Sequence, residues 1–201
     1  MVKTMDRRVR RSRKMLGEAL LALVVEKPFG DITVQDIADR ADMNRATFYL
    51  HFQSKEELLQ SALEELFDEL VSHFGEISPE KPIWEDDQSE LFVFQHVANH
   101  AQLYKALLSD PNLGLVIHQI IAYIARHSER ETRKSLSENM SLAIPIELLS
   151  HHVAGSLYAL IDWWLRNDMP YSPEYMANVA KTLCSDGCTC VVMGEAERVT
   201  R

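Results

Sequence analysis

The sequence lacks a membrane span, a disulfide framework and a recognisable catalytic set. Its longest apolar stretch, Val153 to Leu165, is broken by Gly155, Ser156 and Asp162, so no transmembrane helix is expected. The charged N-terminus has no apolar segment behind it, which argues against a secretory signal. Only three cysteines occur, Cys184, Cys188 and Cys190, all within one short segment. An odd number so placed makes no disulfide framework and points to a reducing, cytoplasmic compartment. Reduced thiols at a helix end are the plain reading of this cluster; a redox or metal sensor is the sharper one. There is no glycine-rich phosphate loop and no grouping of nucleophile, base and orienting residue, so neither catalytic residues nor a cofactor are expected. No strand-like alternation competes with helical spacing anywhere, and no repeat of solenoid length is visible. The expected class is all-α.

The formal net charge of −9 at first speaks against a nucleic-acid partner, but its distribution does not. Residues 1–60 hold 11 Lys and Arg against 9 Asp and Glu, while residues 61–201 hold 10 against 21. Within the first fourteen residues Lys3, Arg7, Arg8, Arg10, Arg11, Arg13 and Lys14 face the single acid Asp6. Such an end can rest on phosphates while the acidic remainder keeps the protein soluble and off random DNA. Taken alone, a basic run is more often a solvated tail.

Helical spacing of Met15, Leu16, Ala19, Leu20, Leu23 and Val24 predicts a first helix over about 6–27, ended by Pro28 and Gly30. Thr33 and Asp36 form a capping box that opens a second, short helix burying Ile37, Ala38 and Ala41. Asp42 falls at the turn that follows, where aspartate tolerates the left-handed conformation. A third short helix starts at Asn44 or Arg45 and reaches Phe52. Ser54 and Glu57 form another box before a long fourth helix. Residues 75–90, with Gly75, Pro79 and Pro82, read as a loop. One helix is expected over 89–109, stopped by Asp110-Pro111, and another over 113–127. The charged stretch 128–139 is either a short exposed helix or a loop. Pro145 in the first turn opens a helix to about Asn167, and Ser172-Pro173 opens the last one, to about Ser185.

Two short capped helices joined by a tight turn behind a longer helix make a helix-turn-helix arrangement. Burying Phe48 and Phe52 leaves Asn44, Arg45, Ala46 and Thr47 at the exposed start of the third helix, where such a unit meets base edges. Arg45 can hold guanine O6 and N7 with two hydrogen bonds, and the Thr47 methyl can touch thymine. Thr33, Tyr49, His51 and Lys55 carry groups suited to phosphates. The stretches Ile32 to Ala41 (ITVQDIADRA), Asn44 to Phe52 (NRATFYLHF) and Ser54 to Leu58 (SKEEL) make residues 10–60 resemble the DNA-binding domain of the TetR family of bacterial regulators. The resemblance implies Thr33, Tyr49, His51 and Lys55 on the DNA backbone and Arg45 with its neighbours on the bases. Three positions depart from the family pattern. Asp42 and Ala46 stand where glycine is frequent, and Leu50 is apolar where a polar residue is common.

The expected division is a helix-turn-helix domain over 1–53 and a ligand-binding and dimerisation domain over 54–201. Residues 146–185 loosely resemble the paired dimerisation helices of the family. Leu149, Val153, Leu157, Leu160 and Trp164 form one stripe, and a helix apolar on more than one side must bury more than one face. Small residues at Gly155, Ser156 and Ala159 admit a second helix. The expected interface comprises Ala154, Leu157, Ile161, Val179 and Leu183; the alternative is one intramolecular core. Phe67, Phe94, His96, His100, Tyr104, Ile117, Ile121, Tyr158 and Trp163 mix aromatic area with polar handles and are the candidate effector lining, with ordinary core as the alternative. His96 and His100 share a helix face at metal-binding spacing, but no third ligand is evident and no metal is expected. Together these features suggest a homodimeric repressor that holds a palindromic operator of double-stranded DNA and is released by a small-molecule effector. The rival readings are a DNA-binding or adaptor protein without a ligand, a helical enzyme, and a variant that keeps the DNA site but activates transcription.

Overall fold

The computed structural model describes residues 7–72, 89–135 and 144–185. Nine α-helices run through them: α1 Arg7–Glu26, α2 Val34–Arg40, α3 Arg45–His51, α4 Lys55–Ser72, α5 Ser89–Asn99, α6 Ala101–Ser109, α7 Gly114–Ser135, α8 Ile146–Arg166 and α9 Pro173–Ala180. Contacts divide the chain into two compact units, Met1–Leu66 with Gln102–Ile120, and Phe67–Ala101 with Ile121–Arg201. α4 and α7 each contribute residues to both. The units follow packing and not chain order.

In the first unit the apolar stripe of α1 (Leu16, Ala19, Leu20, Leu23, Val24) is buried as its spacing requires. It shares one core with Ile37, Phe48, Phe52, Leu58, Leu59, Leu103, Leu107 and Leu113. α1 and α4 approach closely because position 17 is glycine: a Cβ there would lie 3.2 Å from the Ala62 Cβ. In the second unit Phe94 of α5 meets Trp164 of α8 edge-on, centroids 5.4 Å apart. Both rings are essentially inaccessible. The buried Trp164 indole N–H is satisfied by donating to the Tyr171 carbonyl at 2.9 Å. α5 packs chiefly on α9, whose Met176, Ala177 and Ala180 are buried.

Several elements differ from the expectations. The single helix expected over 89–109 is two. The His100 amide is shared between the carbonyls of His96 and Val97. The His100 ring bonds to the His96 carbonyl at 2.9 Å; since that oxygen can only accept, Nδ1 carries the hydrogen. This local competition for a helical carbonyl ends α5. The charged stretch beyond 127 continues α7 to Ser135, supported by the Glu129–Arg133 pair one turn apart. Pro145 precedes α8 as its cap, with an extended ψ of 134°, one residue before the helix proper. Of the loop expected over 75–90, residues 75–88 lie outside the described residues, and Ser89 and Glu90 are already helical. Cys184 falls in the last turn, Lys181–Ser185, while Cys188 and Cys190 lie outside the described residues.

The close α1–α4 approach is directly testable. Gly17→Leu is expected to destabilise the protein by about 1–3 kcal/mol through overpacking. Urea unfolding measures this; an unchanged midpoint would show that the two helices do not depend on the small residue.

Candidate nucleic-acid interface

A seven-residue helix does not persist by itself, so α3 must be held at both ends and along one side. At its start Asn44 is the cap: its Oδ1 accepts the Ala46 amide at 2.8 Å. The turn before it passes through Asp42 at φ 53°, the left-handed conformation expected there. Along its inner side Phe48 is fully buried, and at its end Phe52 is 2% exposed. Arg13 of α1 fastens that end. Its guanidinium donates to the His51 carbonyl and to the Ser61 hydroxyl, both at 3.0 Å, and lies 4.1 Å from the Phe52 ring centroid. One of the seven basic residues read from the N-terminal run is thus an internal fastener. Arg7, Arg8, Arg10, Arg11 and Lys14 instead line an open basic surface on α1.

With Phe48 turned inward, Asn44, Arg45, Ala46, Tyr49 and Leu50 are exposed, and Thr47 and His51 are partly so. Arg45 donates to the Tyr49 hydroxyl at 3.3 Å, and its guanidinium carbon lies 5.6 Å from the Tyr49 ring centroid. This orients a planar group of donors along the outer face of the helix.

α2 is placed by the expected capping box. The Asp36 amide donates to Thr33 Oγ1 at 3.1 Å, and the Thr33 amide donates to Asp36 Oδ2 at 2.8 Å. The exposed Thr33 hydroxyl also donates to that carboxylate oxygen at 2.8 Å. Lys27 at the end of α1 lies 2.8 Å from it as well. The Lys27 hydrogen bond, followed by those from the Thr33 amide and hydroxyl, holds the Asp36 carboxyl well below the usual carboxylate range. The second box is shifted by one residue. The Glu57 amide donates to the Ser54 hydroxyl, as expected, but the Glu57 carboxylate takes the amide of Gln53 and not of Ser54.

Lys55 differs from the phosphate contact expected of it. Its ammonium donates to three carbonyls, Phe29 at 2.7 Å, Gly30 at 3.2 Å and Ile32 at 2.8 Å, and stands 4.6 Å from the Phe29 ring centroid. All three of its hydrogens are used inside the loop that leads into α2. Asp110 holds the same loop as well, accepting the Phe29 amide at 2.9 Å. Neither Arg13 nor Asp110 was recognisable in this role from sequence, since each acts on residues at least 38 positions away.

The other expected residues fall in both units. Tyr104 and Ile117 belong to the first unit; Phe67, Phe94, His96, His100, Ile121, Tyr158 and Trp163 belong to the second. Phe94 is core, and burial pushes the Tyr104 phenol up. The His96 and His100 rings lie 4.4 Å apart. Among the described residues no group of three or more His, Cys, Asp and Glu is placed to hold a metal ion. Trp163 departs from the expected pocket: it is 48% exposed and stacked on Tyr171, which stacks on Tyr175. Phe67 meets Tyr123 and His127 edge-on, and the Tyr123 hydroxyl donates to Asp68 at 2.7 Å. Of the expected interface residues, Ala154 is 3% exposed within the chain itself. Leu157, Ile161 and Val179 are partly buried, and Leu183 is exposed. The exposed side of α8 carries Leu148, His152, Ala159 and Trp163, with Gly155 partly buried between them.

Comparison with known proteins matches residues 17–62 to the family described as bacterial regulatory proteins, tetR family. Residues 87–186 match a family described as transcriptional regulator C-terminal region. An uncharacterized HTH-type transcriptional regulator of Bacillus subtilis, YxbF, is 25% identical over 177 residues, covering 87% of this chain. The chain spans 45% of that relative's length. A putative TetR-family regulator from Syntrophomonas wolfei superposes with a TM-score of 0.67 at 16% identity, covering 94% of this chain and 98% of that one. The regulator FadR from Bacillus subtilis, solved in complex with stearoyl-CoA, superposes with a TM-score of 0.58 at 19% identity, covering 86% and 97%. At such identities the two structures show the fold alone. No helix among the described residues is long and apolar enough to cross a membrane.

A group whose folded pKa is depressed stabilises the fold above its unfolded value, and that contribution is lost as the pH falls through the folded one. Asp36 is such a group. Asp36→Asn is therefore expected to lower the thermal midpoint at pH 7 but to differ progressively less from the parent as pH drops below about 4. Circular-dichroism melts across pH check this; a gap of constant size would show that the Asp36 charge contributes nothing.

Proposed function

This chain belongs to the TetR family of bacterial regulatory proteins, and from that premise we propose that it is a ligand-responsive repressor acting as a dimer on a palindromic operator. The observation that carries the reading is the outward start of α3, where Arg45 is exposed and oriented by Tyr49 while Phe48 anchors the opposite side. Asn44, Arg45, Ala46 and Thr47 meet base edges in the major groove. Tyr49, His51 and the α1 surface of Arg7, Arg8, Arg10 and Arg11 meet phosphates, joined by exposed Thr33 once its hydroxyl hydrogen turns from Asp36 to a phosphate oxygen. Lys55 serves the same contact at one remove, by fixing the loop before α2.

Two copies present two such helices, and a two-fold protein matches a palindromic site whose half-sites lie about one helical turn apart. The outward face of α8, with Leu183, supports pairing between copies. Apolar Leu148 and Trp163 flank Gly155 and Ala159, which leave room for a second helix. An effector acting on the larger, C-terminal part shifts the spacing of the two reading helices. A coupling of about 1–3 kcal/mol suffices to weaken operator binding from several-fold to over a hundredfold. FadR in complex with stearoyl-CoA supports a sensing role for this architecture.

Selection of duplexes from a random pool, followed by affinity measurements, tests the reading. Arg45→Ala is expected to cost on the order of 1–3 kcal/mol on the selected duplex and to relax preference at one base pair. Arg11→Ala should weaken all sequences alike and reduce the salt dependence by about one phosphate contact. If Arg45→Ala weakens every sequence equally, Arg45 reads no base. A reporter driven from the selected site should rise when the chain is deleted; a fall would mean activation.

Gly155→Arg tests the pairing. A Cβ at this position meets nothing within 4 Å, so the side chain has room to leave the helix, and an unchanged circular-dichroism melt checks that the protomer still folds. Sedimentation should then show a monomer, with operator affinity reduced about tenfold or more. A persistent dimer would place the interface elsewhere.

A further inference from the structure

Side chains four residues apart on an α-helix lie above one another on the same face. α3 therefore carries three parallel rows: Arg45–Tyr49, Ala46–Leu50 and Thr47–His51. The first row is seen directly in the Arg45–Tyr49 hydrogen bond. The middle row differs in kind, because neither Ala46 nor Leu50 has a side-chain atom able to give or take a hydrogen bond. It is also the crest of the helix. At about 100° per residue, positions 46 and 50 each stand about 200° around the axis from position 48. Phe48 is fully buried, so the Ala46–Leu50 row faces directly away from the core. Leu50 is 80% exposed, more than any other large apolar side chain among the described residues.

A row without polar atoms cannot read hydrogen-bonding edges. On base edges in the major groove the distinctive apolar feature is the C5-methyl of thymine. Charge favours a polyanion as occupant of this crest: Arg45 flanks it, and the cationic face of Arg7, Arg10 and Arg11 belongs to the same unit. We propose that Leu50, with Ala46 beside it, is a specificity-determining contact to thymine methyl groups of the operator. It would read by burial where Arg45 reads by hydrogen bonding. This inference rests on the DNA-binding reading above.

The test uses the full chain and duplexes selected from a random pool, in which each thymine is replaced singly by uracil. That change removes the methyl group and leaves every hydrogen-bonding edge intact. In each half-site at least one replacement is expected to weaken the parent protein roughly fourfold, the worth of one buried methyl. Leu50→Ala should lose discrimination at that position alone and bind the uracil duplex within about threefold of the parent. Since Leu50 is exposed, the variant should keep the parent's circular-dichroism melt, which excludes misfolding as the cause. Equal discrimination in both proteins overturns the proposal. So does the absence of any uracil effect in the parent, or a uniform loss at all positions in the variant. Failure of the parent to enrich any sequence would overturn the DNA-binding reading itself, and is a distinct outcome.

Discussion

The inward anchoring of Phe48 is the constraint on which the rest of this structure depends. α3 is too short to be stable alone and gains its place by burying that ring in the core shared by α1, α4 and α6. A helix fixed by one fully buried side chain has its outward face fixed as well. The order Arg45, Ala46, Thr47 on that face is therefore a consequence of packing on the other side. Phe52 and Arg13 complete the anchorage where the helix ends.

Polar groups complete what burial begins. The loop before α2 exposes carbonyls that Lys55 collects and an amide that Asp110 takes. Asp36 ties the start of α2 to the end of α1 through Lys27. Each of these contacts satisfies backbone or charged groups that would otherwise need water, and each restricts how α2 and α3 can tilt. Hydrogen bonds of this kind add modestly to net stability, yet losing one partner of a buried pair is costly. The geometry of α2 and α3 is thus held by a few well-satisfied groups in a small domain.

What could be read in the sequence was local. Thr33 with Asp36, Asp42 in a left-handed turn and Ser172-Pro173 each act within a few residues, and each appears in the structure as its spacing required. The stripe on α1 was legible for the same reason, being a periodicity along one helix. What escaped was made by distant parts of the chain. Arg13 looked like one cation in a basic run because its partners, His51 and Ser61, come from other helices. Lys55 reads in sequence as a phosphate contact, because nothing nearby in the chain shows that three carbonyls surround it. Ala154 and Trp163 lie on one helix and carry apolar side chains; which side the protein itself covers is decided by α5 and α9, and periodicity alone is blind to that.

The uneven charge carries a further consequence for the free protein in solution. An exposed Leu50 on each copy is a sticky spot that invites random self-association. The acidic bulk of the chain works against this, since molecules with a formal charge of −9 repel one another at the separations where stickiness begins. Added salt screens that repulsion within about 10 Å at 0.1 M and leaves the apolar attraction untouched. The colloidal behaviour of the DNA-free protein should therefore worsen with ionic strength, in the same direction in which its grip on the duplex weakens.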